Sequence, residues 1–343
     1  MVNHVRNSIS WEGAAPGRGP LLGSFLGSDP EEERGEVARR ILVTGGTVFV
    51  SKYFASYFGA RGDDVVVLNR NTKEQLENVT IIEADRHALG SSLSGERFDA
   101  VIDVTAYNAQ DIDDLVGALE SATFDAYVMI SSSAVYPKAN LQPFVENGRL
   151  GLGSTHEVWG PYSDGKVAAE RALLEQVANA YIIRPPYLYG PMNNVYREAF
   201  VFDCADADRA FCLPGDGDMH LQFFHVRDLC RFIDLVITQR PQQHVFNVGN
   251  PESVSVREWV GACYRAAGHP LRCVSVRNVP QRSFFPFYDY QYELDVRAQC
   301  ELMPELTPLE EGLRESYDWY HAHRDEVNVK PYMRFIDEEL HIA

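Results

Sequence analysis

The amino-acid sequence predicts a protein of the α/β class, built on a doubly wound parallel sheet with a smaller C-terminal lobe. Three observations carry that expectation. From Arg39 onward, short β-branched runs alternate with helix-length segments, the order that yields parallel strands covered on both faces. The first run, Ile41 to Thr44, passes straight into Gly45-Gly46 and then a helical segment. The chain has 343 residues, 45% hydrophobic and 23% charged, which is ordinary for a folded protein with one large core or two coupled ones.

Residues 1–36 lie outside this pattern. WEGAAPGRGP and GSDPEEERGE combine turn formers and charge without a lasting hydrophobic period, so they read as a flexible N-terminal extension. ILVTGG then opens the fold as a buried strand, and FVSKYFASYFGARG follows as a helix starting near Thr47. VVVLNR, VTIIEAD and FDAVIDV read as the next three strands, NAQDIDDLVGALESA as a helix, and AYVMISSS as the fifth strand. A helix is expected from about Tyr162 to Ala178 and the strand AYIIRP after it. Further helices are expected at 227–239, 255–267 and 309–323, with a last strand at HVFNVG. The expected division gives residues 37–185 to the sheet domain, with segments near 222–250 returning to it, 186–330 mainly to a substrate lobe, and 331–343 to a tail.

Charge and composition exclude several classes. With 31 Lys and Arg against 49 Asp and Glu the formal charge is −18, and no basic stripe is present to displace counterions from phosphate. A nucleic-acid partner is therefore not expected. No run approaches the ~20 apolar residues that cross a bilayer, so no membrane span is expected. The first 36 residues lack a basic region leading into an apolar one, which predicts a cytoplasmic address. Cys204, Cys212, Cys230, Cys263, Cys273 and Cys300 include no C-x-x-C pair; they read as buried thiols, and no metal site is predicted.

The glycine turn is the first candidate site. It would let the main chain approach a pyrophosphate, while the helix N-terminus offers free N–H groups and a positive dipole end. On that reading Gly45, Gly46, Thr47, Val48, Phe49 and Val50 contact a dinucleotide; a plain strand-to-helix turn is the alternative. The second strand ends at Asn69-Arg70, where a Rossmann-type fold meets the adenosine ribose. An acid there would favour NAD, whereas Arg70 can accommodate the 2′-phosphate of NADP, so NAD or NADP is expected with an inclination to NADP. The third strand ends in Asp85-Arg86, where Asp85 could accept from an adenine amino group or cap the following helix. Val104, Thr105, Ala106 and Tyr107 at the fourth strand end, with Ile130, Pro185 and Tyr187, complete the expected cofactor contacts.

The second candidate site is chemical. Tyr162 and Lys166 open a helix four residues apart and so share a face. An ammonium beside a phenol stabilises the phenolate and lowers a pKa that is ~10 unperturbed, making the phenol a usable acid or base. Upstream, the fifth strand ends in Ser131-Ser132-Ser133-Ala134-Val135-Tyr136, and a serine there can bond the same substrate oxygen; turn formation is the bland alternative.

Taken jointly, the glycine turn, the serine-rich strand end, the Y-x-x-x-K helix and Arg184-Pro185-Pro186-Tyr187-Leu188-Tyr189-Gly190-Pro191 form one ordered set. In it the chain resembles the extended short-chain dehydrogenase/reductase superfamily, NAD-dependent epimerase/dehydratase branch, over roughly residues 39–325. Gln222 to Asp228 and Phe246-Asn247-Val248-Gly249 are similar to further motifs of that family. The resemblance implies that Ser132 is the catalytic serine, Tyr162 the proton-transfer residue, and Lys166 its orienting partner and nicotinamide-ribose ligand. It also implies a nucleotide sugar as substrate, and a homodimer is possible.

Two departures qualify the match. The family's G-x-x-G-x-x-G turn is kept only at Gly45, with Val48 and Ser51 at the second and third places, which puts the closeness of cofactor approach in doubt. The T-G-G-T-x-F-[IV] turn and the D-R after the third strand are similar to an atypical subgroup, some members of which are associated with RNA in chloroplasts. A non-catalytic or RNA-binding protein is therefore the rival reading; the −18 charge and the complete Ser132, Tyr162, Lys166 set favour the enzyme. Sugar-nucleotide 4,6-dehydratases carry an Asp-Glu pair where this chain has Ser133 and Ala134, so dehydration is not expected. An epimerase or reductase acting on a secondary alcohol or ketone remains. For the substrate side the candidates are Ser132, Ser133, Tyr187, Asn193, Gln222 and Arg227, with the aromatic stretch Ser283 to Tyr288 and a diphosphate ligand in Arg227 or Arg282. Core packing is the alternative for each. His156 reads as a surface residue.

Overall fold

The computed structural model describes residues 38–138, 142–151 and 159–342, so the N-terminal extension and His156 lie outside the described residues. Seven strands form one sheet: β1 (Arg40–Thr44), β2 (Asp64–Asn69), β3 (Thr80–Glu83), β4 (Ala100–Asp103), β5 (Tyr127–Ile130), β6 (Ala180–Arg184) and β7 (Val245–Asn247). Their order is β7-β6-β5-β4-β1-β2-β3 and every pairing is parallel. Each corresponds to an apolar run expected as a strand. The chain reverses direction across the sheet between β1 and β4, and in such folds that switch point opens a crevice at the carboxyl ends of the strands.

Alternation along the strands divides the interior. Ile41 and Val43 face one core with Phe54 and Phe58 of α1 (Phe49–Ala60) and Phe232 and Ile233 of α5 (Val226–Gln239). Leu42 faces the other, with Ile112 and Leu115 of α2 (Ala109–Leu119) and Leu173 of α3 (Pro161–Gln176). Helix α1 begins two residues later than expected, because Gly45 and Gly46 hold φ of +96° and +84° and keep the turn out of helical geometry. Helix α3 starts from Gly160 with Pro161 in its first turn, a residue whose fixed φ suits that position and whose missing N–H costs nothing there. Tyr162 thereby stands at the very start of the helix.

The second lobe packs α4 (Glu198–Asp206), α6 (Val256–Ala266) and α7 (Leu309–Ala322) around short strand pairs. Among these Phe223–His225 runs parallel to Tyr187–Tyr189. The aromatic stretch expected to shape a pocket is mostly core: Phe284, Phe285 and Phe287 are buried, and Phe287 meets Phe223 and Trp259 edge-on. Residues 332–340 are helical rather than a loose tail, since Tyr332 and Ile336 are buried against the lobe and Arg209 ion-pairs with Asp337. Cys204, Cys212, Cys230 and Cys263 are buried thiols, while Cys273 and Cys300 are half-buried. No helix among the described residues is long and apolar enough to cross a membrane.

Candidate active site

The crevice at the β1/β4 switch point has a volume of about 420 Å³ and is lined by Gly45, Thr47, Asn69, Arg70, Asp85, Arg86, Thr105 and Tyr107, among others. Its glycine turn is held by two bonds, Gly45 N–H to the Leu68 carbonyl (2.9 Å) and Asn69 Nδ2 to the Gly45 carbonyl (2.6 Å). A Cβ on Gly46 would stand 2.6 Å from Val67 Cγ1, so packing against β2 requires this glycine as much as any ligand would. The residues at the two missing glycine places do not block the crevice. Ser51 is buried with Oγ donating to the Val48 carbonyl (3.0 Å), and Val48 is the N-cap of α1 with no side-chain bond over the helix end. The first N–H groups of α1 thus have no side-chain cap.

Under the crevice lies a network the sequence reading did not find. Asp103 is fully buried at the end of β4 and accepts from Thr44 Oγ1 (2.8 Å), Tyr127 OH (2.6 Å) and the Arg86 guanidinium. Burial pushes the Asp103 carboxyl up, but Arg86 and the hydrogen bonds outweigh it and hold the group below the usual carboxylate range. Arg86 also bonds Thr105 Oγ1 (2.8 Å) and the Asp111 carbonyl (2.9 Å), so it braces the crevice wall. Asp85 lines the crevice while accepting from His87 N–H (2.9 Å), the capping role foreseen as its alternative. Asn69 spends its amide on Gly45, Gln75 and the Asn71 N–H.

The structure brings Ser132, Tyr162 and Lys166 together. The Ser132 hydroxyl lies close enough to the Tyr162 phenol to favour its anion. Ser132 Oγ accepts from Ala134 N–H (3.1 Å), which fixes its position at the end of β5. Lys166 is buried, and Nζ donates to the Ala106 carbonyl (2.7 Å) and the Ile130 carbonyl (2.8 Å). The same ammonium lies 5.0 Å from the centroid of the Tyr107 ring and 5.9 Å from that of Tyr162, while the two rings are 6.3 Å apart. Tyr162 remains 39% exposed. Its pKa departs from expectation: burial raises it, with the Ser132 hydroxyl and the Arg197 charge pulling it back. The ammonium is held on main-chain carbonyls instead of at the phenol oxygen. Burial in turn lowers Lys166 to about 8, against the attraction of Asp103 and Glu170.

Glu170, one further turn along the same face of α3, is a second residue that sequence reasoning missed. It accepts from Arg184 Nε (3.0 Å) and Nη2 (2.6 Å) and from Ser131 Oγ, while Arg184 also bonds Tyr136 OH (2.8 Å). The spacing Tyr162, Lys166, Glu170 carries the signal, because a third residue four further on shares the face.

The substrate-side residues divide. Tyr187 lies beside Trp159, Phe287 and the Arg197 guanidinium. Asn193, Gln222 and Arg227 do not join it. Asn193 is buried, bonding Glu198 Oε1 (2.8 Å) and the Val195 N–H (3.0 Å). Gln222 is buried and braces Asn250 and both main-chain groups of Leu294. Arg227 pairs with Glu315 (2.8 Å) and Glu311 (3.2 Å) on α7, which leaves no free guanidinium for a diphosphate. Ser133 is buried with its N–H on the Pro185 carbonyl (2.9 Å), and Pro185 closes the end of β6 beside it.

A seven-stranded Rossmann-type sheet with Ser132, Tyr162 and Lys166 gathered at its carboxyl edge defines a member of the extended short-chain dehydrogenase/reductase superfamily. Within it the chain belongs to the NAD dependent epimerase/dehydratase family, which it matches over residues 41–249. It is 27% identical over 307 residues to the chloroplast stem-loop binding protein of 41 kDa b from Arabidopsis thaliana, covering 82% of this chain and 79% of that protein. It is 24% identical over 340 residues to a dTDP-4-dehydro-6-deoxy-D-allose reductase of a Streptomyces species, covering 83% of this chain and 97% of that one. Its fold is similar to the crystal structure of a dTDP-glucose 4,6-dehydratase from Streptomyces venezuelae solved with NAD bound, with a TM-score of 0.67, 21% identity, and 84% and 99% of the two chains covered.

Proposed function

We propose that this protein is an NAD(P)-dependent epimerase or reductase acting on a secondary alcohol or ketone of a nucleotide sugar. The observation that carries this reading is the convergence of Ser132, Tyr162 and the Lys166 ammonium, 5.9 Å from the centre of the Tyr162 ring, next to the Tyr107 wall of the crevice. The crevice fits a dinucleotide: Gly45, Thr47 and the uncapped end of α1 would hold the pyrophosphate, Asn69, Arg70 and Asp85 would flank the adenosine, and Lys166 would reach the nicotinamide ribose. A bound nicotinamide supplies or accepts hydride at the substrate carbon.

The chain's own residues move the proton. Since burial raises the Tyr162 pKa, its phenol is protonated near neutral pH and set to donate to a carbonyl oxygen as that carbon is reduced. In the opposite direction it must first be deprotonated, and the Ser132 hydroxyl and the Arg197 charge favour that anion. Ser132 Oγ, fixed by the Ala134 N–H, keeps its hydroxyl hydrogen for the same oxygen, which would otherwise carry charge without a donor. Ser133 and Ala134 offer no acid or base for removing water, which argues against dehydration.

Arg70 and Lys73, both exposed at the adenosine end of the crevice, support NADP over NAD, because they offer cations to a 2′-phosphate and no carboxylate stands at Asn69. The test is to denature the purified protein and identify its co-purified dinucleotide by mass spectrometry, then to follow that dinucleotide spectroscopically with nucleotide sugars. Turnover supports the reading; absence of both bound and added dinucleotide affinity refutes it. The similarity to a stem-loop binding protein favours a second reading, RNA binding, which requires an affinity that falls steeply with salt despite a formal charge of −18.

A further inference from the structure

Among the described residues, Arg197 is a charge without an ion-paired or hydrogen-bonded partner. It is the N-cap residue of α4, its guanidinium lies over the Tyr187 ring at 5.0 Å and the Phe287 ring at 5.6 Å, and among the described residues it makes no ion pair and no side-chain hydrogen bond. Other arginines held in the interior of this protein have acceptors: Arg184 has Glu170, Arg86 has Asp103 and Arg227 has Glu315. Glu198, next in the chain, accepts from Asn193 and acts on Arg197 through space only, with no hydrogen bond or ion pair between them. A half-buried guanidinium left unmatched is costly, and such a cost is retained where a ligand supplies the missing anion.

The surroundings place that anion in the substrate cleft. The Arg197 charge acts on the phenols of both Tyr187 and Tyr162. Trp159, whose ring is 6.5 Å from that of Tyr187, buries an indole N–H with no acceptor among the described residues. A second arginine, Arg282, stands further out: it is exposed, lies 4.7 Å from the Tyr288 ring, and donates to the carbonyls of Phe285 and Pro286. Of the two, Arg197 is the cation whose charge reaches Tyr162, the residue set against the reacting oxygen of the sugar. The outer one suits the diphosphate, and the inner one is left for a charge carried by the sugar itself.

We propose that Arg197 receives a carboxylate on the sugar ring, so that the preferred substrates are acidic nucleotide sugars. The guanidinium lies against the rings of Tyr187 and Phe287 without a hydrogen bond to either, and its paired N–H groups match a carboxylate in two parallel bonds. This inference rests on the nucleotide-sugar reading above and narrows it.

The test measures binding of UDP-glucuronate and UDP-glucose by calorimetry to the full-length protein saturated with its dinucleotide, in the wild type and in Arg197→Gln and Arg197→Lys. The wild type should prefer UDP-glucuronate by about tenfold or more, as one charge-assisted pair provides. Arg197→Gln should bring the two affinities within about twofold by loosening only UDP-glucuronate, and Arg197→Lys should retain part of the preference. If Arg197→Gln does not fold, the wild-type ratio and Arg197→Lys decide. Equal wild-type affinities, or equal weakening of both ligands in the variants, would overturn the carboxylate site while leaving the nucleotide-sugar reading intact. Binding of neither ligand by a protein that does hold dinucleotide would overturn both.

Discussion

Glu170 and Arg184 form a bidentate ion pair, Nε to Oε1 at 3.0 Å and Nη2 to Oε2 at 2.6 Å, with both side chains almost wholly buried. The pair ties α3 to the end of β6, and through Ser131 to the end of β5 that carries Ser132. Because Glu170 lies two turns beyond Tyr162 on one face, it sets where the phenol stands relative to the serine.

Truncating one partner should therefore damage stability more than chemistry. Glu170→Ala leaves an uncompensated buried guanidinium, and the expected loss is about 3–5 kcal/mol. Urea denaturation followed by circular dichroism measures it; a loss under about 1 kcal/mol would show that Arg184 finds another acceptor.

The glycine turn predicts a second stability effect. Gly46→Ala places a Cβ 2.6 Å from Val67 Cγ1 at a backbone φ of +84°, so a destabilisation of about 1–3 kcal/mol is expected. Adding Val67→Ala removes Cγ1 but leaves Val67 Cβ 2.9 Å from the new Cβ, opens a cavity and keeps the backbone strain, so the double mutant should not regain wild-type stability. Full recovery in that double mutant would assign the whole effect to the clash.

Lys166 gives a pH dependence of definite sign. Its pKa falls from 10.5 to about 8 on burial, so between those values the unfolded chain binds more protons than the folded one. Stability from this residue therefore rises with pH across that window, and the penalty of the buried charge is fully present below about 8. Comparing thermal melts of the wild type and Lys166→Met from pH 7 to 10 tests this; parallel curves would contradict it. Turnover should move the opposite way, falling above about pH 8 as Lys166 loses its charge.

Arg70 tests the choice between the two dinucleotides. Arg70→Ala should raise the KM for NADPH by about tenfold, the worth of a charge-assisted phosphate contact, and leave that for NADH within about twofold. Equal effects on both would remove Arg70 from 2′-phosphate recognition.

Much of this architecture was legible because it is written in local periods. Each sheet strand is a short apolar run, and α3, α5, α6 and α7 stand where the sequence pattern placed them to within two residues. Tyr162 and Lys166 were found through the spacing of one helix face. What escaped was non-local. Asp103 with Arg86, Glu170 with Arg184, and Arg227 with Glu315 are partners 17, 14 and 88 residues apart, a relation no helical or strand period encodes. The same blindness placed Asn193, Gln222 and Arg227 in the substrate cleft, when each is occupied within the protein, and left Arg197 unnoticed beside two aromatic rings. The phenol's pKa went astray because spacing says which residues share a face but not that Ala106 and Ile130 carbonyls would draw the ammonium away from the oxygen.

The most direct test of the central claim is a single-turnover measurement on Tyr162→Phe, run with the same dinucleotide and nucleotide sugar as the wild type. Removing one hydroxyl should slow the hydride-transfer step by about 10²–10⁴-fold, while dinucleotide affinity and thermal stability stay within error. A variant that reduces or epimerises its substrate at the wild-type rate would show that some other group moves the proton.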